Sequence, residues 1–319
     1  MHKHICVLGG GGFVGRAIVA RLSKQQVKVR VLTRRRERHR DLLVLPGVDV
    51  IEADIHHAPA LEHYFRDCDA VINLVGILNE KRDDGLGFRR AHVDLVEKVV
   101  HACQHTGCTR LLHMAALHAD AKKGPSYYLR SKGEALDLVH AAKDLNVTSF
   151  CPSVIFGPGD SFFNRFAGLL RLMPGVMPLA CGNARFAPVY VGDVAEAFVR
   201  SLNNPHSYGQ RYQLCGPRIY TLKQLVEYTA QQLGITRKVI GLGPGLSKLM
   251  ANVFEYVPLF KPITRDNYRS LQIDSVCEKP FPAIFDITPH SIEAIVPTYL
   301  GHQYARAQYN LLRRHARRD

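Results

Sequence analysis

The apolar positions of the chain follow two alternating rhythms. Short, nearly continuous apolar runs occur at HICVLG (4–9), VKVRVLT (27–33), VDVIEAD (48–54), DAVINLVG (69–76), RLLHMAA (110–116) and VTSFCPSVIF (147–156). Strands buried on both faces read this way, because neither face meets water. Between them, residues 13–24, 89–106 and 127–144 carry the spacing of amphipathic helices. Strand, helix, strand in repeated order predicts an α/β fold, a Rossmann-type doubly wound parallel sheet covered by helices on both faces.

After residue 157 the rhythm breaks. The segment GPGDSFFNRFAGLLRLMPGVMPLACGNARF is rich in Gly and Pro, and no repeat is visible. Helix starts are expected at Asp193 with Glu196, at Thr221 with Gln224, and at Thr288 before Pro289. The expected division is a nucleotide-binding domain over 1–156 and a smaller, mostly helical lid over 157–319, interleaved with the last strands.

Composition adds little until charge is counted. A chain of 319 residues, 46% hydrophobic and 22% charged, is ordinary for a globular protein and excludes a fibrous or disordered one. Its net charge of +14 is concentrated. Residues 28–40 hold seven basic residues and Glu37, and residues 301–319 hold five arginines and Asp319. The eight cysteines include no C-x-x-C pair, which predicts a reduced set of small buried side chains rather than a disulfide frame. No signal-peptide pattern opens the chain, and the longest apolar stretch, 239–260, is broken by prolines, glycines, Lys248 and Glu255. A cytoplasmic protein without a membrane span is expected.

VLGGGGFVGRAIV carries the first chemistry. Gly9, Gly12 and Gly15 follow a strand and precede a helix that opens with Phe13 and Val14. Glycines permit a tight turn and close backbone approach to a pyrophosphate, and the helix N-terminus offers free N–H groups to that anion. A flexible turn with chance spacing is the bland alternative, and the strand–turn–helix context argues against it. The second strand then ends in Thr33-Arg34-Arg35-Arg36, where an NAD-type site would place an acid on the ribose 2′-OH. Arg34 and Arg35 suit a 2′-phosphate instead, so NADP(H) is expected ahead of NAD(H). Asp54 and Ile55 would flank the adenine. Leu74, Val75 and Gly76, ending the fourth strand, would let the cofactor lie against the backbone.

Tyr128 and Lys132 stand one helical turn apart, on one face. An ammonium beside a phenol lowers its pKa and suits it to exchange a proton with an alcohol or carbonyl. Alone, such a pair is more often a packed Tyr and a solvated Lys. After a glycine turn and a fifth strand, it reads as catalytic.

At this point the sequence resembles the extended and atypical short-chain dehydrogenases/reductases. The resemblance is carried by VLGGGGFVG, ADI (53–55), NLVGIL (73–78), YLRSK (128–132), PSVIFGPGD (152–160) and PVYVGDVAEAF (188–198). GPRIYTLKQLVEY and ITRDNYRSLQIDSV are most similar to the branch that contains the nucleotide-binding accessory subunit of respiratory complex I and its bacterial relatives. The resemblance implies a Rossmann domain binding NADP(H), with Pro152 and Ser153 near the nicotinamide and Lys132 on the nicotinamide ribose. Two departures stand out. Met114-Ala115-Ala116-Leu117 occupies the place where the family has its polarising Ser or Thr, with Ser126 the nearest other non-tyrosine hydroxyl. Cys151 stands where many relatives have Arg. A missing polarising donor costs a few kcal/mol of transition-state stabilisation.

Other constellations carry less. His101, Cys103, His105 and Cys108 suggest a metal only superficially, since Cys103 continues the apolar stripe and Cys108 follows Gly107; no metal is expected. The tail Gln303–Asp319 mixes Tyr and Leu with five arginines, which suits an anionic membrane surface or an acidic subunit of a membrane complex, or is simply a solvated terminus. Nucleic acid is a poorer account, because aromatics do not interleave with the basic residues. Two functions follow. One is a weakly catalytic NADP(H)-binding protein associated with complex I or quinone metabolism, peripheral at the inner face of a membrane. The other is an active NADP(H)-dependent oxidoreductase, epimerase or dehydratase using Tyr128 and Lys132.

Overall fold

In a computed structural model, residues 2–173, 175–255 and 263–300 are described. They fall into two compact units. Of the described residues, the first comprises those up to Pro152 together with Val191–Leu214 and Phe281–Ile287; the second comprises those within 153–190, 215–280 and 288–300.

The apolar runs of the first unit form β1 (His4–Leu8), β2 (Lys28–Thr33), β3 (Val48–Glu52), β4 (Ala70–Asn73), β5 (Arg110–Met114) and β6 (Asn146–Pro152). Gln210–Leu214 adds a seventh strand beside β6, and every pair in the sheet is parallel. From the Gln210–Leu214 edge the order is β6, β5, β4, β1, β2, β3. The chain therefore reverses direction between β4 and β1, where an open parallel sheet leaves a crevice at its carboxyl ends. Helices Phe13–Lys24 (α1), Ala58–Phe65, Leu95–Thr106 and Tyr127–Ala141 cover the sheet. Leu61, Phe65, Val96, Val99, Cys103, Ala135 and Val139 from three of them are buried against Cys6, Leu8, Val71 and Leu111. One polar group is buried to hold the far edge. Arg110 donates to the carbonyls of Asn146, Ser201 and Leu202 at 2.6, 2.7 and 3.2 Å, and lies over the Tyr208 ring.

Several local expectations are corrected. The expected strand 147–156 is two strands, because the short strand Ile155–Phe156 leaves the sheet and pairs with Val189–Tyr190 in the second unit. The helix expected over 89–106 contains a π turn at Arg89–Asp94. Thr221 does cap Leu222–Gln232 with Gln224 in a reciprocal box, whereas the helix Val191–Leu202 starts before Asp193 and buries it. No helix starts at Thr288, and Thr264 forms an unforeseen box with Asn267.

The second unit is smaller, and its regular structure is more helix than strand. Phe156, Phe163, Leu170, Met177, Leu225, Val226 and Val296 make its core. It also overturns the expectation of wholly reduced cysteines. Cys215 and Cys277, 62 residues apart, form a disulfide. Spacing along the chain held no sign of it, because the fold brings the two segments together. Among the described residues, no helix is long and apolar enough to cross a membrane. The basic tail lies outside the described residues.

Candidate functional site

The glycine turn sits at the carboxyl end of β1. Gly9 has φ +78°, a left-handed conformation natural only to glycine, and its carbonyl accepts the Gly12 N–H at 3.0 Å. Gly12 precedes α1, whose first turn carries Phe13 and Val14. Gly15 is packed so closely that a Cβ there would lie 2.3 Å from the Gly9 carbonyl oxygen. Close backbone packing thus shapes the turn, with the α1 N-terminus beside it. Leu74 belongs to the same place: its N–H donates to Leu8, and its carbonyl carbon would lie 3.2 Å from a Cβ on Gly9.

Arg34 and Arg35 follow β2 and are exposed. The linear reading found no acid in reach, and the sheet register corrects it. Glu52 pairs with Thr33 across β2 and β3, and its carboxylate accepts the Arg36 N–H at 3.1 Å. Asp54 is exposed and accepts the His56 N–H, while Ile55 packs on the core. His39 and Arg16, which spacing along the chain does not single out, close on the turn. A Cβ on Gly11 would meet the His39 ring at 2.5 Å, and Arg16 donates to the Gly11 carbonyl at 2.9 Å.

Tyr128 and Lys132 rise from the helix Tyr127–Ala141, whose N-cap Ser126 accepts the Leu129 N–H through its hydroxyl. Ser126 is fully buried and occupied as a cap. Lys132 is buried and donates to the carbonyls of Met114, at 3.0 Å, and Val75, at 3.4 Å. It bridges the carboxyl ends of β4 and β5, and desolvation lowers its pKa to about 8. A Cβ on Gly76 would lie 3.0 Å from its Nζ, so glycine keeps the approach to the ammonium open. The phenol is shifted opposite to the expected direction: burial pushes Tyr128 up to about 12.

Two further side chains organise this end. His92 comes from the π turn, and such turns often mark functional positions. Its Nε2 accepts the Ile77 N–H at 3.1 Å, so Nδ1 carries the hydrogen and donates to Ser131 Oγ at 2.8 Å. Ser131 Oγ donates to the Tyr128 carbonyl at 2.9 Å. The imidazole also stands edge-on to the Tyr128 ring, and burial followed by the Lys132 charge lowers its pKa to about 2. It is a neutral strut between the loop after β4 and the Tyr128 helix. Asn73 accepts the Val75 N–H at 3.1 Å, fixing the residue whose carbonyl takes Lys132. Linear spacing gave no sign of either role.

Ala115, Leu136 and Cys151 form one small buried cluster, and burial pushes the Cys151 thiol up to about 11. Pro152 ends β6, and its carbonyl accepts the Leu117 N–H. Ser153 begins the second unit and donates to the Ser275 carbonyl at 2.7 Å. The first unit thus brings together Gly9, Gly12, Gly15, Leu74, Val75, Gly76 and Lys132 at the carboxyl ends of its central strands. Cys103 and Cys108 are buried in its core; His101 and His105 are exposed, with the Glu62 carboxylate 3.6 and 3.9 Å away.

The model of the NAD dependent epimerase/dehydratase family matches residues 5–215, two thirds of the chain and all of the site in the first unit. The chain belongs to this family. It is 31% identical over 252 residues to "NADH dehydrogenase [ubiquinone] 1 alpha subcomplex subunit 9, mitochondrial" of Arabidopsis thaliana, covering 77% of this chain and 61% of that protein. The "NADH-ubiquinone oxidoreductase 40 kDa subunit, mitochondrial" of Neurospora crassa is 24% identical over 313 residues, covering 96% and 80%. Among solved structures, a Thermus thermophilus UDP-glucose 4-epimerase in complex with NAD superposes with a TM-score of 0.62 at 20% identity, covering 84% and 99%. For a member of this family the glycine turn, the open Gly76 and the α1 N-terminus fit a nicotinamide dinucleotide. Such a group would supply hydride transfer at its nicotinamide.

Proposed function

We propose that the chain is an NADP(H)-binding protein of weak or no turnover that works beside a membrane complex of the complex I type. One observation carries the reading: the glycine turn and Gly76 lie at the same strand ends as Lys132, whose Nζ a Cβ on Gly76 would meet at 3.0 Å, while the sequence has Ala115 and Ala116 where the resemblance expects a polarising hydroxyl. In the family's chemistry that donor is aimed at the developing oxyanion. Here the turn would bind the pyrophosphate, Gly76 and Lys132 would receive the nicotinamide ribose, and Arg34 and Arg35 would pair with a 2′-phosphate. The names of the plant and fungal relatives support the partner, and the basic tail supports docking at an anionic surface or an acidic subunit. The second reading, an active reductase, epimerase or dehydratase, draws on Tyr128 and Lys132 standing one turn apart on the same helix.

The cofactor part is tested by calorimetry with NADPH and NADH. A charge-assisted contact contributes about 1.5–3 kcal/mol, so NADPH is expected to bind roughly tenfold or more tightly. Arg34→Asp should abolish that preference. Equal affinities in the unmodified chain would remove the NADP(H) assignment and give Glu52, beside Thr33, the ribose instead.

A further inference from the structure

The second unit carries a surface that its own packing leaves unexplained. Thirteen large aliphatic side chains are exposed among the described residues, and six of them belong to three structural pieces of this unit. Leu172 ends the helix Phe162–Leu172. Val176 and Ile240 lie on a two-stranded parallel ribbon, Val176–Leu179 with Lys238–Gly241. Met177 and Val239 face inward and are buried, so Val176, Lys238 and Ile240 point the other way. The helix Pro244–Glu255 follows the ribbon directly and supplies Leu246, Leu249 and Val253.

That helix is anchored, so its exposed stripe is not a consequence of fraying. Ser247 and Ala251 are buried on its inner face, and Ser247 Oγ accepts the Cys181 N–H at 3.1 Å. On the outer face Leu246, Leu249 and Val253 are each more than half exposed, at a spacing that keeps them in one row, with the exposed Lys248 on its flank. Basic residues dominate the segments that carry this face, with Asp160, Glu227 and Glu255 at their edges. Residues 161–182 and 228–254 contain Arg165, Arg171, Arg237, Lys238 and Lys248 and no Asp or Glu.

Protein interfaces favour aromatics, Met and Arg at their cores and are depleted in Lys. A row of aliphatics with lysines beside it is instead the pattern of helices that lie in a bilayer interface. We propose that this face of the second unit rests on an anionic phospholipid bilayer, with Leu246, Leu249 and Val253 at the acyl boundary and Arg171, Lys238 and Lys248 on lipid phosphates. The proposal deepens the membrane-surface part of the function above and rests on it. It moves the contact from the tail to a folded surface.

The test is sedimentation of the full chain with vesicles of phosphatidylcholine alone and of phosphatidylcholine with about one third phosphatidylglycerol. Binding is expected to the anionic vesicles only, and it should weaken as salt rises. The combined Leu246→Ser, Leu249→Ser and Val253→Ser variant should lose about tenfold or more in partitioning, with melting temperature and NADPH affinity unchanged. Lys238→Gln with Lys248→Gln leaves the apolar row intact and should cost roughly fivefold per charge, which keeps the test decisive if the serine variant folds poorly. Variants that bind like the unmodified chain, while Arg313→Gln, Arg314→Gln, Arg317→Gln and Arg318→Gln together abolish binding, would overturn this surface and leave the tail as the membrane contact. Equal binding to neutral vesicles would overturn its anionic character. A chain that ignores both vesicles would overturn the bilayer altogether, and an acidic protein partner would take its place.

Discussion

The two ends of the site in the first unit are made of different materials. At the glycine turn the working parts are backbone: N–H groups, a helix end and the absence of Cβ atoms at Gly9, Gly12 and Gly15. At the Tyr128–Lys132 end they are side chains drawn from separate elements. Asn73 comes from β4, His92 from the π turn, and Ser131 and Lys132 from the helix Tyr127–Ala141. The first end should therefore fail when atoms are added. The second should respond when side chains are exchanged and when protons come and go.

Gly15→Ala should produce the largest effect. Its Cβ would lie 2.3 Å from the Gly9 carbonyl oxygen and 2.6 Å from the Gly10 Cα, both backbone atoms that cannot swing aside. Overpacking of this kind costs about 3 kcal/mol or more, and the displaced turn should lose the dinucleotide as well. Gly76→Ala is the internal control, since its nearest neighbour is the tip of Lys132, at 3.0 Å, which can move. Thermal unfolding and calorimetry on both variants check this. Equal stabilities would mean that the turn is not held by close packing, and the contrast between the ends would disappear.

The next effect belongs to Lys132 and depends on pH. Its folded pKa of about 8 lies below the ordinary 10.5, so between those values the unfolded chain binds the extra proton. Stability from this group therefore rises with pH across that window. Below about pH 8 the full penalty of the buried charge applies, of order 3 kcal/mol. Lys132→Met should stabilise the nucleotide-free chain at pH 7, less whatever the two lost carbonyl bonds contributed, and the gap should close towards pH 10. Urea unfolding at both pH values reads it. A gap independent of pH would show that Lys132 keeps its proton throughout.

The same contrast explains what could be read from the chain alone. The strands were visible because burial on both faces leaves continuous apolar runs, and the glycine turn because its parts are neighbours in sequence. Tyr128 and Lys132 were visible because one helical turn is a fixed spacing. What escaped depends on elements meeting in space. Glu52 reaches Thr33 only through the register of β2 and β3, Cys215 finds Cys277 only through the fold, and His92 lies 36 residues before the tyrosine it steadies. The direction of the Tyr128 shift is hidden for the same reason, since spacing places an ammonium near the phenol but does not show how deeply the fold buries the ring.

The smallest expected effect asks whether the second end lacks one atom or more than one. With Tyr128 held up at about 12 by burial and no hydroxyl on Ala115 or Ala116, turnover on simple aldehydes, ketones and nucleotide sugars should be slow despite tight NADPH binding. Ala115 packs with Leu136 and Cys151, so a hydroxyl added there enters an apolar cluster. Ala116 lies outside that cluster, which makes Ala116→Ser the sharper test. If the new hydroxyl points at the carbonyl oxygen, residual activity should rise by up to about a hundredfold, the effect of one well-aimed donor. Tyr128→Phe in that background should remove the gain while leaving nucleotide affinity nearly intact, because it deletes a single hydroxyl and none of the backbone cradle. NADPH oxidation followed in the unmodified chain, Ala116→Ser and the double variant decides it. A brisk Tyr128-dependent rate in the unmodified chain would mean that a backbone N–H or a water already polarises the substrate, and the active-enzyme reading would replace the weakly catalytic one.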